Sequence, residues 1–172
     1  VFEPTQIAEL IEGMAERGAL DHCRAVLTGY MGDPALGQVV LDTVARVRAA
    51  NPGALWLCDP VMGDTDGGFY VKSGLPEFFR DRAVPAADIV TPNHFELDVL
   101  SGRPSRTLGE ARDAVQALHD RGPRAVLVTS LAVEDTPADA VDLLASDETG
   151  DFRLRTPRLA VAANGSGDAI AA

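Results

Sequence analysis

Four short apolar runs, separated by segments with helical features, set the strongest limit on how this chain can fold. The runs are Arg24–Gly29, Ala54–Cys58, Ala87–Thr91 and Arg124–Thr129. Near-continuous apolar strands are typical of parallel sheets that are covered on both faces. Strands that alternate with helices along a chain form such sheets. The sequence therefore predicts an α/β fold with a mostly parallel sheet and helices on both faces.

Apolar periodicity and end signals locate the helices and the remaining strands. Asp33 and Pro34 are predicted as the N-cap and first residue of a helix that runs to about Ala50. Thr107 and Glu110 form a capping box that opens another helix. The other predicted elements are helices over Pro4–Gly18, Leu75–Arg82 and Asn93–Ser101, a polar loop over Thr65–Gly74, and an antiparallel strand pair over Ala140–Ala145 and Phe152–Arg155.

Composition narrows the class of protein. The chain has 172 residues, 46% hydrophobic and 24% charged, which suits one globular domain over residues 1–172. The sequence has no signal peptide and no apolar run of the ~20 residues that a membrane span needs. Cys23 and Cys58 lie in or beside apolar runs and are predicted to be buried thiols, not a disulfide or a zinc site. These features predict a cytoplasmic protein.

Charge limits the possible partners. The net charge of −11 argues against nucleic acid and anionic membranes. Lys72 is the only lysine, and no Gly-x-x-x-x-Gly-Lys-Ser/Thr loop is present, which excludes a P-loop NTPase. A bound phosphate would therefore need backbone amides, a divalent cation or an arginine to offset its charge. His94 and His119 have no clustered partners and are interpreted as surface or capping residues.

Polar residues occur where the predicted strands end. Parallel sheets bind ligands at the carboxyl ends of their strands, so these residues should meet at one edge of the sheet. We expect Asp168, which follows the last predicted turn, to lie at the same edge. The other residues of this group are, in chain order, Asp59, Thr91, Asn93, Glu96 and Thr129.

A glycine-containing turn, Asn164-Gly165-Ser166-Gly167-Asp168, precedes a small apolar run that is predicted to start a helix. Glycines allow a tight turn and a close approach of the backbone to a ligand. The N–H groups and positive dipole end of the helix would then face an anion. Asp168 repels phosphate, so we interpret it as a general base that takes a proton from an attacking hydroxyl. The alternative is a loop in which Asp168 only caps the helix.

Asp59 and Glu96 are carboxylates beside this predicted anion site. Carboxylates and an anion share a pocket when a cation lies between them, and Mg²⁺ binds through one or two carboxylates plus substrate phosphates. The residues therefore suggest phosphoryl transfer from ATP, with Mg²⁺ held by Asp59 and Glu96. The alternatives are that Asp59 caps a loop and that Asn93 and Glu96 belong to an exposed helix N-terminus.

Four motifs, taken together, resemble a known family. They are Gly-Tyr-Met-Gly at 29–32, Asp-Pro-Val-Met-Gly-Asp at 59–64, Thr-Pro-Asn-His-Phe-Glu at 91–96 and Asn-Gly-Ser-Gly-Asp at 164–168. In this order, and over essentially the whole chain, they resemble the pyridoxal kinase family of the ribokinase superfamily. The resemblance implies a ribokinase-like fold, a homodimer, and Mg²⁺-dependent transfer of the ATP γ-phosphoryl group to the 5′-hydroxyl of pyridoxal, pyridoxine or pyridoxamine.

The resemblance also implies roles for individual residues. Asp168 matches the catalytic aspartate, which also contacts the substrate, and Gly165, Ser166 and Gly167 match the anion hole. Tyr30 and Val61 match positions near the pyridine ring. The positions that match contacts with ATP or its metal are Asp59, Thr91, Glu96, Thr129, Thr156, Pro157, Arg158 and Leu159. Thr129 is a departure, because some members of the family have lysine there.

The resemblance leaves two expectations about the extent of the protein and its activity. We expect sequence missing on both sides of these 172 residues, namely an N-terminal strand and lid region and C-terminal helices, and we expect the fragment alone to be inactive. The alternative functions are a hydroxymethylpyrimidine or sugar kinase on the same scaffold, and a non-catalytic nucleotide-binding protein. A Rossmann oxidoreductase is set aside, because Ile170 stands at the third glycine position of its motif.

Overall fold

A six-stranded sheet forms the centre of the molecule. The computed structural model describes residues 3–160 and 166–172, and only the backbone of residues 166–168. Its strands are β1 (Ala25–Thr28), β2 (Leu55–Cys58), β5 (Ile89–Val90), β6 (Ala125–Leu131), β7 (Ala140–Asp147) and β8 (Gly150–Pro157). They lie in the order β1-β2-β5-β6-β7-β8. The first four strands of this order are parallel, and β7 and β8 continue the sheet antiparallel. The predicted α/β class, with a mostly parallel sheet and an antiparallel pair, is confirmed.

Two of the helices begin at the caps that the sequence predicts. Asp33 caps α2 by accepting from the N–H of Ala35, and Thr107 caps α6 by accepting from the N–H of Glu110. The helices are α1 (Pro4–Ala15), α2 (Pro34–Ala50), α3 (Leu75–Phe78), α4 (Val84–Ala86), α5 (His94–Ser101), α6 (Leu108–His119) and α7 (Ser166–Ala171), with a 3₁₀ turn at Ala19–His22 and a π-helical stretch at Phe79–Ala83.

Several boundaries differ from the predictions. The predicted loop over Thr65–Gly74 contributes to a small hairpin of β3 (Gly63–Asp64) and β4 (Gly68–Phe69). The turn between these strands closes because the Asp64 carboxylate accepts from the N–H of Gly67, and strands of two residues leave no apolar pattern to detect.

The helical segment predicted to end at Arg82 continues through π-helical geometry to Ala86, and the last helix begins at Ser166 instead of Asp168. Thr129 was predicted to end its strand, but β6 continues to Leu131. An irregularity between Val128 and Leu131 accompanies this extension.

The two faces of the sheet have different surroundings. Helices α2, α5 and α6 contact the sheet, and Trp56, Cys58 and Val90 are buried on the face that forms the main core. The other face is apolar but largely exposed, with Leu27 at 50% and Leu154 at 59%. Helix α7 reaches this second face, where Ala171 and Leu27 line the same small cavity.

Across residues 3–160 and 166–172, no helix combines the length and the hydropathy that crossing a bilayer requires.

Gly37 allows α2 to approach the helical segment around Phe78. A Cβ atom at position 37 would lie 2.5–2.8 Å from three atoms of the Phe78 ring. Both residues are buried, and the Phe78 ring packs edge-on against Phe79, so the ring has little room to move. The absence of a side chain at position 37 therefore sets the distance between these elements.

We predict that Gly37→Ala lowers the free energy of unfolding by roughly 1–3 kcal/mol, because overpacking outweighs the better helix propensity of alanine. Urea denaturation of the purified protein measures this change. Gly13→Ala in α1 is the matched control, since its Cβ would meet only the flexible end of Arg17 at 3.3 Å. The control should stabilise the protein by about 0.5–1 kcal/mol. Equal stabilisation by both variants would contradict the packing argument.

Candidate active site

The ladder of backbone hydrogen bonds continues past the ends of β1, β2 and β5 and brings three polar residues together. The N–H of Asp59 donates to Thr28 O at 2.8 Å, and the N–H of Thr91 donates to Cys58 O at 3.2 Å. The N–H of Thr129 donates to Pro92 O at 2.9 Å. Asp59, Thr91 and Thr129 are all buried. They therefore lie side by side at the carboxyl edge of the parallel strands, where such sheets bind ligands.

The carboxylate of Glu96 connects two segments of this edge. Its Oε1 accepts from the N–H of Met62 at 2.9 Å, and its Oε2 accepts from the N–H of Asn93 at 2.8 Å. Asn93 completes the capping box of α5, because its Oδ1 accepts from the N–H of Glu96 at 2.9 Å. Its side-chain amide donates to Gly63 O at 2.8 Å. Asn93 and Glu96 therefore do form the N-terminus of α5. This N-terminus is buried against the loop that follows Asp59, and Glu96 is only 2% exposed.

Burial and neighbouring negative charges raise the pKa values of three groups around this site: a carboxyl, a thiol and a phenol. Burial, together with the charge of Asp59 and against the opposing effect of the N–H donors of Asn93 and Met62, raises the pKa of Glu96 to about 7. Burial likewise raises the pKa of the Cys58 thiol to about 12, so Cys58 is inert as a nucleophile. Tyr70 is the residue after β4, and burial and the charge of Glu96 raise the pKa of its hydroxyl.

The donor set fits a largely hydrated magnesium ion. Among the described residues, no group of three or more His, Cys, Asp or Glu side chains could hold a metal. Asp59 and Glu96 form a buried pair whose mutual repulsion a cation would relieve. In the same described part of the chain, the buried Thr91 Oγ1 has no hydrogen-bond partner, so it is available to a water or a ligand oxygen. Mg²⁺ keeps several waters and uses few carboxylates.

Helix α7 reaches this edge of the sheet through Ala171. Ala171 lines a cavity of about 90 Å³ together with Leu27, Thr28, Gly29 and Asp59. The backbone of Ser166, Gly167 and Asp168 is the first turn of this helix, while the side chains of Ser166 and Asp168 lie outside the described part of the structure. Gly165 lies outside the described residues altogether.

The other predicted contact residues lie on the surface around this edge. Tyr30 is 55% exposed after β1, and Val61 is half-buried, with its N–H donating to Asp59 O at 2.9 Å. Thr156 is half-buried near the end of β8. The exposed residues that end or follow β8 are Pro157, Arg158 and Leu159.

His94 corrects the interpretation of the histidines as surface or capping residues. Its side chain is 15% exposed, its Nδ1 accepts from the N–H of Ala132 at 3.2 Å, and its Nε2 lies 2.7 Å from Ser105 O. In this arrangement Nδ1 is the acceptor of the ring and Nε2 faces the Ser105 oxygen as a donor. His94 therefore joins the start of α5 to the residue after β6. Its partners lie 11 and 38 residues away, so no local sequence signal identifies this role.

The core beneath the site contains a second hydrogen bond between distant elements. The indole Nε1 of Trp56 donates to Thr28 Oγ1 at 2.9 Å, and Trp56 is fully buried. Because Thr28 also lines the cavity with Asp59, this bond connects the core directly to the candidate site.

We predict that, without divalent cations, Glu96 makes the protein less stable as pH rises from about 4.5 to 7. Its folded-state pKa is raised, so the folded protein holds the proton more tightly, and the free energy of unfolding falls over this window. A shift of this size corresponds to about 3 kcal/mol, at about 1.4 kcal/mol for each pKa unit. Urea denaturation at a series of pH values measures it. Glu96→Gln should remove this part of the slope, and an unchanged slope would contradict the assignment.

Comparison with known proteins places this chain in a family. A profile of the phosphomethylpyrimidine kinase family matches residues 5–172. Pyridoxal kinase PdxY of Granulibacter bethesdensis is 55% identical over 176 residues, covering 100% of this chain and 62% of that protein. Pyridoxal kinase PdxY of Rubrobacter xylanophilus is 52% identical over 173 residues, covering 100% of this chain and 60% of that protein.

A solved structure agrees with the sequence comparison. Pyridoxal kinase from Leishmania donovani, in complex with ADP and pyridoxamine, has a TM-score of 0.89 and 30% identity, covering 99% of this chain and 61% of that chain. The chain thus spans about three fifths of the length of these relatives. The resemblance to pyridoxal kinases and the ribokinase-like fold are confirmed. Since the family profile matches almost every residue given, the chain belongs to the phosphomethylpyrimidine kinase family.

Proposed function

We propose that the protein carrying this chain is an ATP-dependent pyridoxal kinase. It would transfer the γ-phosphoryl group of ATP to the 5′-hydroxyl of pyridoxal and related B6 vitamers, and so salvage pyridoxal 5′-phosphate. The observation that carries this proposal is the buried pair of Asp59, directly after β2, and Glu96, in the first turn of α5, with α7 lining a cavity that includes Asp59. The names of the relatives, and the ADP and pyridoxamine in the Leishmania structure, support it.

The described residues can supply the binding part of this chemistry. Asp59 and Glu96 would hold Mg²⁺, and Thr91 Oγ1 would complete the polar surface beside them. When bound, Mg²⁺ neutralises charge on the phosphates during transfer. Glu96 takes two backbone N–H bonds, which fixes its carboxylate before any ligand arrives. Such preorganisation avoids reorganising the site during the reaction.

Proton removal and charge stabilisation would fall to the C-terminal turn. Asp168 would accept the proton of the substrate hydroxyl, and the backbone N–H groups of Gly165, Ser166 and Gly167 would stabilise the charge that develops on the phosphoryl oxygens.

The remaining residues would bind the two substrates. Tyr30 and Val61 would face the pyridine ring, and Thr129 and the segment Thr156–Leu159 would contact the nucleotide. A single domain that is incomplete at both ends, a homodimer and a cytoplasmic location remain predictions.

A second candidate substrate is hydroxymethylpyrimidine, because the matching profile is described as phosphomethylpyrimidine kinase. The purified full-length protein, tested with ATP and Mg²⁺ on pyridoxal, pyridoxine, pyridoxamine, hydroxymethylpyrimidine and sugars, separates the candidates. We expect the largest kcat/KM with a B6 vitamer. A preference for hydroxymethylpyrimidine would favour the second candidate. Binding of ATP without phosphorylation of any alcohol would favour the non-catalytic alternative.

We predict that Asp168→Asn in the full-length protein lowers kcat by at least a hundredfold, because it removes the general base. Steady-state kinetics with saturating ATP measures this loss. Asp113→Asn, at an exposed position of α6, is the matched control and should leave kcat unchanged. Turnover within about tenfold of wild type, equivalent to ~1.4 kcal/mol of barrier, would show that Asp168 is not the base.

We predict that Asp59→Asn raises the Mg²⁺ concentration required for half-maximal activity, because the variant loses one of two acidic ligands. Magnesium titrations at fixed ATP measure this requirement. The Mg²⁺ dependence of Asp113→Asn should match that of wild type. An unchanged magnesium requirement in Asp59→Asn would remove Asp59 from the metal site.

A further inference from the structure

A fully buried aspartate on β7 binds two arginines of β8. Asp142 is 0% exposed, and its Oδ1 accepts from Arg155 Nε at 2.7 Å. Its Oδ2 accepts from Arg155 Nη2 at 2.9 Å and from Arg153 Nε at 3.1 Å, and Arg153 Nη2 donates to the same oxygen. Each of the two guanidinium groups therefore binds Asp142 through two nitrogens, Nε and Nη2, and these bonds join β8 to β7.

The connection between β6 and β7 completes this cluster. Thr136 Oγ1 donates to Asp142 Oδ2 at 2.6 Å. Asp135 binds Arg153 through both carboxylate oxygens, at 2.7 and 2.9 Å, and its backbone oxygen accepts from Arg155 Nη2 at 3.0 Å. Two carboxylates thus balance two guanidinium groups. A buried charge that is paired and hydrogen-bonded in this way holds its geometry firmly, because breaking the pair leaves an uncompensated charge.

This cluster lies immediately before the segment that we assign to the nucleotide. Asp142 is the register partner of Arg155, and the next pairs are Val141 with Thr156 and Ala140 with Pro157. The N–H of Arg158 then donates to Asp139 O at 2.7 Å. The segment 156–159 therefore begins one residue after a side chain that Asp142 holds, and it is joined to β7 by the pairs and the backbone bond that follow.

We propose that Asp142 is a positioning residue that acts through Arg155 to place the segment Thr156–Leu159 for nucleotide binding. This inference rests on the proposed function, because that function assigns the segment to ATP. Asp142 itself lies in the sheet and reaches the nucleotide only through β8. A residue that places a binding segment, and takes no part in transfer, changes ground-state and transition-state binding of ATP equally. Its removal should raise KM for ATP and leave kcat unchanged.

The test is Asp142→Asn in the full-length protein, which keeps the shape of the side chain and removes its charge. We expect KM for ATP to rise about tenfold, equivalent to ~1.4 kcal/mol of binding free energy. We expect kcat at saturating ATP, and KM for pyridoxal, to stay within twofold of wild type. Steady-state kinetics and the dissociation constant of ADP, from calorimetry, give these values.

Asp88→Asn is the matched control, because Asp88 also binds two arginines but lies before β5, at the opposite edge of the sheet. Its Oδ2 accepts from Arg48 Nη2 at 2.7 Å and its Oδ1 from Arg124 Nη2 at 3.1 Å. This variant should lower the melting temperature without changing KM for ATP. Equal changes in KM for ATP in both variants would show a general loss of structure and would overturn the proposal.

A second pair of variants keeps the proposal testable if Asp142→Asn does not fold. Arg155→Met keeps the aliphatic stem at a position 39% exposed, and Arg124→Met is its control. We expect weaker ADP binding in Arg155→Met only. Unchanged ADP affinity in a folded Asp142→Asn or Arg155→Met overturns the proposal.

The ADP measurements also separate this inference from the proposed function. If the wild type binds ADP but does not phosphorylate pyridoxal, the proposed function fails, while weaker ADP binding in Asp142→Asn still supports the positioning role. If the wild type does not bind ADP, both are overturned.

Discussion

The carboxylate of Glu96 makes the interaction on which the candidate site depends most. It is buried, yet both oxygens accept backbone N–H groups from two separate segments, the loop after β2 and the N-cap of α5. Those bonds determine where Met62 and Asn93 lie, and Asn93 in turn holds Gly63. The same burial that makes the bonds strong also opposes the negative charge, and Asp59 adds to that opposition. A cation beside this carboxylate would stabilise its negative charge. One side chain therefore connects the local fold to the chemistry of the site.

Local signals were sufficient for much of the architecture. Apolar runs located the parallel strands, and Asp33 and Thr107 marked helix starts by a mechanism that acts within three residues. The same signals placed Asp59 and Thr91 after their strands, and the parallel topology explains why the two residues meet at one edge. Where the fold follows from short-range geometry and strand order, the sequence was enough.

The features that the sequence did not reveal depend on distant partners. His94 was predicted to be a surface or capping residue because no partner lies near it in the sequence. Its bonds to Ser105 and Ala132 form only in the folded chain. The hairpin of β3 and β4 has two-residue strands, too short for any periodic pattern. The strand continues past Thr129 because Leu131 pairs with Asp142 of β7 and Thr129 itself bridges to Asn93, and these contacts override the polar character of the segment. The cluster around Asp142 follows from the register of β7 and β8, which the apolar pattern alone leaves open.

The hydrogen bond from Trp56 to Thr28 makes Trp56 an intrinsic fluorescence probe of this chain. Trp56 is the only tryptophan of the chain, and it is fully buried. Its indole N–H donates to Thr28, which lines the same cavity as Asp59. Indole fluorescence depends on the polarity and hydrogen bonding around the ring. The emission of this chain therefore comes from one defined environment beneath the candidate site, and its colour and intensity can report events there without an added label.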